Sequence, residues 1–270
     1  MSDHRTASEQ RTARIDDRID DRVGSTAAAM AAADPVWLLR SRGCWQAAAA
    51  VLEQVDGPDA ALTRAELLIE RALFEGVGWG EAEGALRVAE GGARGDRERA
   101  AAACARGYLA YCATLLHIHD RLDEAQAALG RASAMLPPDA PGRPLLDFRR
   151  GLVAENLLDD PVAARTAYRR AHAGAEQQQD DLLLSYTWRH LASIAERDGN
   201  LAGARHGFAE SLRLRERIGF AVGIAPALAS LAGVSPSPEA AQLRSQAALL
   251  VRTFGGVPVR LATTTAVVAD

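Results

Sequence analysis

Residues 188–211 read WRHLASIAERDGNLAGARHGFAES. Trp188, Leu191, Ala192 and Ala195 fall at steps of three and four, so they share one side of a helix. Gly199 and Asn200 then interrupt the pattern with the left-handed cap that ends a helix and lets the chain reverse. Beyond them Ala204, Phe208 and Ser211 mark one face of a second helix, the alanine admitting a neighbour and the phenylalanine filling the gap. The stretch predicts two helices folded back on one another.

The pattern recurs upstream. Phe148, Gly151 and Leu152 stand ahead of Ala164, Tyr168 and Ala171; Leu109, Cys112, Ala113 and Leu116 stand ahead of Ala125, Leu129 and Ala132, closing on Pro137. Each first anchor lies sixteen residues before the alanine of its second helix, and the anchors recur 39 to 40 residues apart, at 109, 148, 188 and then Leu228. Breakers fall where helix pairs should reverse: Gly43-Cys44-Trp45, Gly57-Pro58-Asp59, Gly78-Trp79-Gly80, Gly91-Gly92, the four prolines between Pro137 and Pro144, and Ser235-Pro236-Ser237-Pro238. Proline removes an amide donor and glycine admits turn geometry, so these are predicted loops. Between them helices are predicted at 46–55, 81–89, 122–130, 225–232 and 239–252. The expected fold is all-α, an antiparallel helix-pair solenoid of five or six repeats over residues 34–254. A charged Arg/Asp arm at 1–33, disordered or a solvated helix, precedes it, and an extended or disordered tail at 255–270 follows.

On these residues the chain resembles the tetratricopeptide repeat (TPR) family. The family pattern W-x2-L-G-x2-Y…A-x3-F…P is matched well from Trp188 to Phe208, partly from Leu109 and Phe148, and weakly before residue 90; the spacing here exceeds the family's usual 34. The run from Glu210 to Gly219, with Gly223-Ile224-Ala225 and Leu228 to Ala232, is similar to TPR segments of large bacterial transcriptional regulators. The resemblance implies a binding protein that holds a protein or peptide in a concave groove, in a regulatory or assembly role.

Composition narrows the chemistry. The chain of 270 residues is 48% hydrophobic but only 5% aromatic, so its core must be built mainly from alanine and leucine. All 31 basic residues are arginine. Without lysine there is neither a Schiff-base nucleophile nor a G-x4-G-K-[ST] phosphate loop. A net charge of −4 and a pI near 5.9 argue against a nucleic-acid or anionic-membrane partner. Cys44, Cys104 and Cys112 make no C-x2-C pair, and no apolar run approaches the roughly 20 residues of a membrane span. A reducing cytoplasm is the expected setting.

If the Trp188 face packs inward, the residues half a turn away line the groove formed by successive first helices. Taking 100° per residue, the outward column is Tyr111, Arg150 and His190; beside it run Arg149 and Arg189, then His117, Asn156 and Glu196, with Thr114, Tyr186, Ser193 and Arg197 completing the surface. Arginines there can grip a carboxylate or phosphate and tyrosines can stack on a ring; the same charges can equally form a solvated face. The partner expected is a protein or peptide with an acidic group. Two alternatives remain open: a small anionic metabolite, held by a sensor or an unorthodox enzyme, and self-assembly into homo-oligomers. His117, His119 and Asp120 sit at a predicted turn, where such residues cap helices more often than they bind metal. No catalytic signature and no cofactor motif is present, so neither cofactor nor metal is expected.

Overall fold

The structure, a computed structural model, describes residues 34–253. The expectations for the arm at 1–33 and the tail at 255–270 lie outside the described residues. Among those residues every regular element is helical: α1 (Pro35–Arg40), α2 (Trp45–Val51), a 3-10 turn (Leu52–Gln54), α3 (Pro58–Glu75), α4 (Trp79–Gly92), α5 (Asp96–Leu115), α6 (Leu122–Met135), α7 (Arg143–Asn156), α8 (Pro161–Gln178), α9 (Asp181–Arg197), α10 (Leu201–Arg217), α11 (Ala221–Gly233) and α12 (Ser237–Thr253). Each helix packs chiefly against its neighbour in sequence, which gives adjacent pairs.

Local chemistry explains where the second helices begin. The Asp160 carboxylate accepts from the Ala163 amide at 2.9 Å, and the Asn200 side chain accepts from the Gly203 amide at 3.0 Å. Asp120 accepts from the Leu122 amide at 3.2 Å. Each contact satisfies an amide that the first helical turn leaves without a partner. Ala125, Ala164 and Ala204 therefore occupy the fourth position of α6, α8 and α10, and all three are 0% exposed.

The two helices of a pair approach closely because small residues face large ones. A Cβ on Gly107 would meet the Leu129 side chain at 2.6 Å, and one on Gly151 the Tyr168 ring at 2.5 Å. In α10 the order is reversed: a Cβ on Gly207 would meet Ala192 at 2.9 Å and Trp188 at 3.3 Å. In α7 and α8, Gly151 meets Tyr168 while Pro144 meets Gly174, so the pair runs antiparallel.

The anchor register needs correction. Gly107 and Gly151 make the pair contact in α5 and α7, yet they lie 44 residues apart, five more than the 39 between Leu109 and Phe148, an offset of about 140° round a helix. Leu109 and Phe148 therefore stand at different angles round their helices. Leu109 is buried at 1% exposure, Phe148 faces inward against Tyr186 and His190, and Trp188 lies between His172 of α8 and His206 of α10. Helix ends also differ: α2 stops at Val51 and tightens into the 3-10 turn, while α4 and α6 run past Ala89 and Gly130 to Gly92 and Met135.

The first pair does not stay at one end of the row. The Val222 amide donates to the Ser41 carbonyl at 2.8 Å, and Trp37 Nε1 donates to the Ile218 carbonyl at 3.3 Å. Trp37 also stacks on Phe220, with ring centroids 6.0 Å apart. Thus α1 meets the junction of α10 and α11, and the array closes on itself.

Candidate functional site

Beside this contact lies a half-open cavity of about 350 Å³, lined by α3, α5, α7, α9, the end of α10 and the start of α11. That volume falls within the range of small-molecule sites. Six phenyl or phenol rings line it, Phe74, Tyr108, Tyr111, Phe148, Tyr186 and Phe220, with the His190 imidazole beside them. Leu73, Leu115, Leu152, Val222 and Pro226 complete the apolar lining. The polar groups are few, as expected of a site that fixes orientation with a small number of donors.

Arg215 is the most consequential of them. It is 4% exposed, and its Nη1 donates to the Gly223 carbonyl at 2.7 Å. Its Nε is buried without a hydrogen-bond partner. Its guanidinium lies 5.7 Å from the Tyr186 ring centroid, and among the described residues no carboxylate pairs with it. Burial draws its proton affinity down to about 10 against the opposing pull of Tyr186, and nearby Arg189 adds to the depression. A buried cation without a counterion is expensive to keep. Arg189 also lines the cavity; its Nη1 lies 3.3 Å from His190 Nε2, and among the described residues it forms no ion pair.

The carboxylates at this wall are already satisfied. Glu70 lines the cavity, but its Oε2 accepts from Arg40 Nε at 3.0 Å and Trp45 Nε1 at 3.0 Å, while Arg40 Nη2 reaches its Oε1. Behind His190, Glu155 accepts from His190 Nδ1 at 2.8 Å, from the Tyr168 hydroxyl at 2.7 Å and from Arg197. Burial pushes the Glu155 carboxyl up, but the His190 and Tyr168 hydrogen bonds and the Arg197 charge outweigh it and hold the group at about 2. His190 moves the other way: burial, opposed by the Glu155 hydrogen bond and reinforced by the Arg189 charge, brings it down to about 4. At neutral pH the imidazole is uncharged, with its Nδ1 proton directed at Glu155 and Nε2 left as the acceptor facing Arg189.

Of the twelve residues expected in the groove, Tyr111, Asn156, Tyr186, Arg189 and His190 line this cavity, and Asn156 donates to the Tyr111 hydroxyl at 3.0 Å. The others lie elsewhere. Arg149 is buried against Glu66 (2.8 Å), Cys104 Sγ (3.4 Å) and the Tyr108 ring (4.6 Å), in the wall of a second cavity of about 460 Å³ beside the proline-rich loop. Arg150 points outward to Ser133. Thr114 accepts from the Arg121 amide at 2.8 Å and so builds the α5–α6 turn, in which His117 adopts a left-handed φ of 55°. Arg197 orients Glu155 from outside, Glu196 is exposed, and Ser193 is half-buried on α9 without lining the cavity. Among the described residues no cluster of three His, Cys, Asp or Glu is placed to hold a metal ion, and no helix is long and apolar enough to cross a membrane.

Sequence reasoning missed Arg215, Glu70 and most of the aromatic wall. One signal was available: Ala204, Phe208, Ser211 and Arg215 continue a single helix face at steps of four, three and four, which puts an arginine on the packed side. Against known proteins, no family model matches the chain and no curated protein matches it.

Proposed function

We propose that the chain is a non-enzymatic binding protein, a TPR-like array of antiparallel helix pairs whose central cavity takes a small organic anion, in a sensing or regulatory role in the cytoplasm. The observation that carries this reading is Arg215, a buried guanidinium in an aromatic cavity with a single backbone acceptor and no carboxylate. A ligand oxyanion would supply the missing counter-charge to Arg215 and Arg189, and charge-assisted bonds of that kind are the strong ones. The modest volume and aromatic lining of the half-open cavity favour a small ligand over an extended peptide. The equal placement of Ala125, Ala164 and Ala204 supports the repeat reading.

Isothermal titration with hydrocinnamate, phenyl phosphate and a peptide ending in two acidic residues tests this. At least one of the two small anions should bind, and Arg189→Met should weaken it at least tenfold. Binding of the peptide alone, or small-anion binding indifferent to the Arg189 substitution, would refute it.

A further inference from the structure

The cavity treats the two signs of charge unequally. Its cations, Arg189 and Arg215, have no carboxylate partner, whereas Glu70 is saturated by Arg40 and Trp45, and Glu155 by His190, Tyr168 and Arg197. An incoming anion finds two donors lacking a counter-charge. An incoming ammonium finds no free carboxylate, and it must be desolvated beside two guanidinium groups of its own sign. An α-amino acid places its ammonium two bonds from its carboxylate carbon, so it cannot bring the carboxylate to the arginines without bringing the cation too. The body of the ligand meets rings on several sides: Phe148 stacks with Tyr186 at 5.9 Å between centroids, Tyr108 with Tyr111 at 6.0 Å, and Phe220 meets Tyr186 edge-on at 6.1 Å. Such surfaces suit a flat apolar group.

We infer that the cavity selects amine-free aromatic acids and rejects the corresponding aromatic amino acids, its specificity set by the saturation of Glu70 together with the two arginines that lack carboxylate partners. The inference rests on the anion reading given above and sharpens it. The Arg40–Glu70 pair takes on a specificity role, since it removes from the wall the one carboxylate that would welcome an amine.

Two matched pairs of probes test it by calorimetry on the full chain: hydrocinnamate against phenylalanine, and indole-propionate against tryptophan, each pair differing only by the α-amino group. The acid of at least one pair should bind at least tenfold tighter than its amino acid. Arg40→Met, which frees Glu70 from its guanidinium, should narrow that ratio at least threefold by improving the amino acid. Equal or tighter binding of the amino acids to the unaltered chain overturns the selectivity while leaving the anion reading intact. If phenyl phosphate binds but neither aromatic acid does, the aromatic-acid assignment falls alone, and if no organic anion binds, both readings fall. Should Arg40→Met unfold, Glu70→Gln serves instead: the ratio must then persist, and its loss would refute the argument.

Discussion

Replacing Arg215 with methionine should stabilise the empty protein, a reversal of the usual outcome for a buried residue. The guanidinium is 4% exposed, and its proton affinity falls from the ordinary arginine value to about 10, chiefly by burial. A tenfold loss of affinity corresponds to about 1.4 kcal/mol, so the charge opposes folding by about 3 kcal/mol. The folded-state affinity lies below the unfolded one, so the penalty shrinks only as pH rises through about 10 and is fully present at neutral pH. Methionine fills much of the same volume without a charge. It gives up the bond to the Gly223 carbonyl, about 1.5 kcal/mol, and the contact with the Tyr186 face, about 0.5 kcal/mol. Gly223 retains its place in the α11 ladder, where the Ala227 amide faces its carbonyl. The net gain is about 1 kcal/mol, a rise in Tm of about 2–4 °C for a domain of this size. Differential scanning calorimetry at pH 7 without added anions measures it. A fall in Tm of 2 °C or more would show that Arg215 is a structural support, and the argument for a missing counterion would fail.

Further outcomes follow from other contacts. His190 is held down at about 4, so the stability tied to its neutral form is complete above about pH 6.5 and is lost as pH falls toward 4; a Tm-against-pH curve should slope there, and His190→Asn should flatten it. Gly151→Ala pushes a Cβ to 2.5 Å from the Tyr168 ring, and urea unfolding should show a loss of about 2 kcal/mol. Arg149→Ala should lower stability by about 2 kcal/mol, because it strands Glu66, whereas Arg150→Ala should stay within about 0.5 kcal/mol, and equal effects in chemical denaturation would contradict the placement of the two side chains. Trp37→Ala should speed amide hydrogen exchange at Val222, whose N–H bonds Ser41, while leaving Leu129 in α6 protected.

Much of the architecture was legible because it is written in local terms. Asp160 and Asn200 cap α8 and α10, alanine recurs where two helices must touch, and Pro137, Pro138 and Pro141 forbid a helix between α6 and α7; none of this depends on distant contacts. The cavity was half legible. Tyr111, Tyr186, Arg189 and His190 follow from the repeat, but carrying the register through α7 misplaced Arg149 and Arg150, because that helix meets its partner through Gly151 at a different rotation. Arg215 lies on the packed face that Ala204, Phe208 and Ser211 already mark, whereas Phe220 is seated by Trp37 of α1, a long-range contact that no periodicity encodes.

The seam made by Trp37 with Phe220 and Ser41 with Val222 also bears on how such a chain can evolve. Stacked units that touch only their neighbours can be duplicated or deleted with little harm. Here one unit more or fewer would carry Ser41 away from Val222 and part Trp37 from Phe220 at the rim of the aromatic chamber. Its tally of hairpins is therefore as constrained as the strand number of a closed barrel, and divergence among descendants should proceed by altering side chains in the chamber, not by lengthening the row.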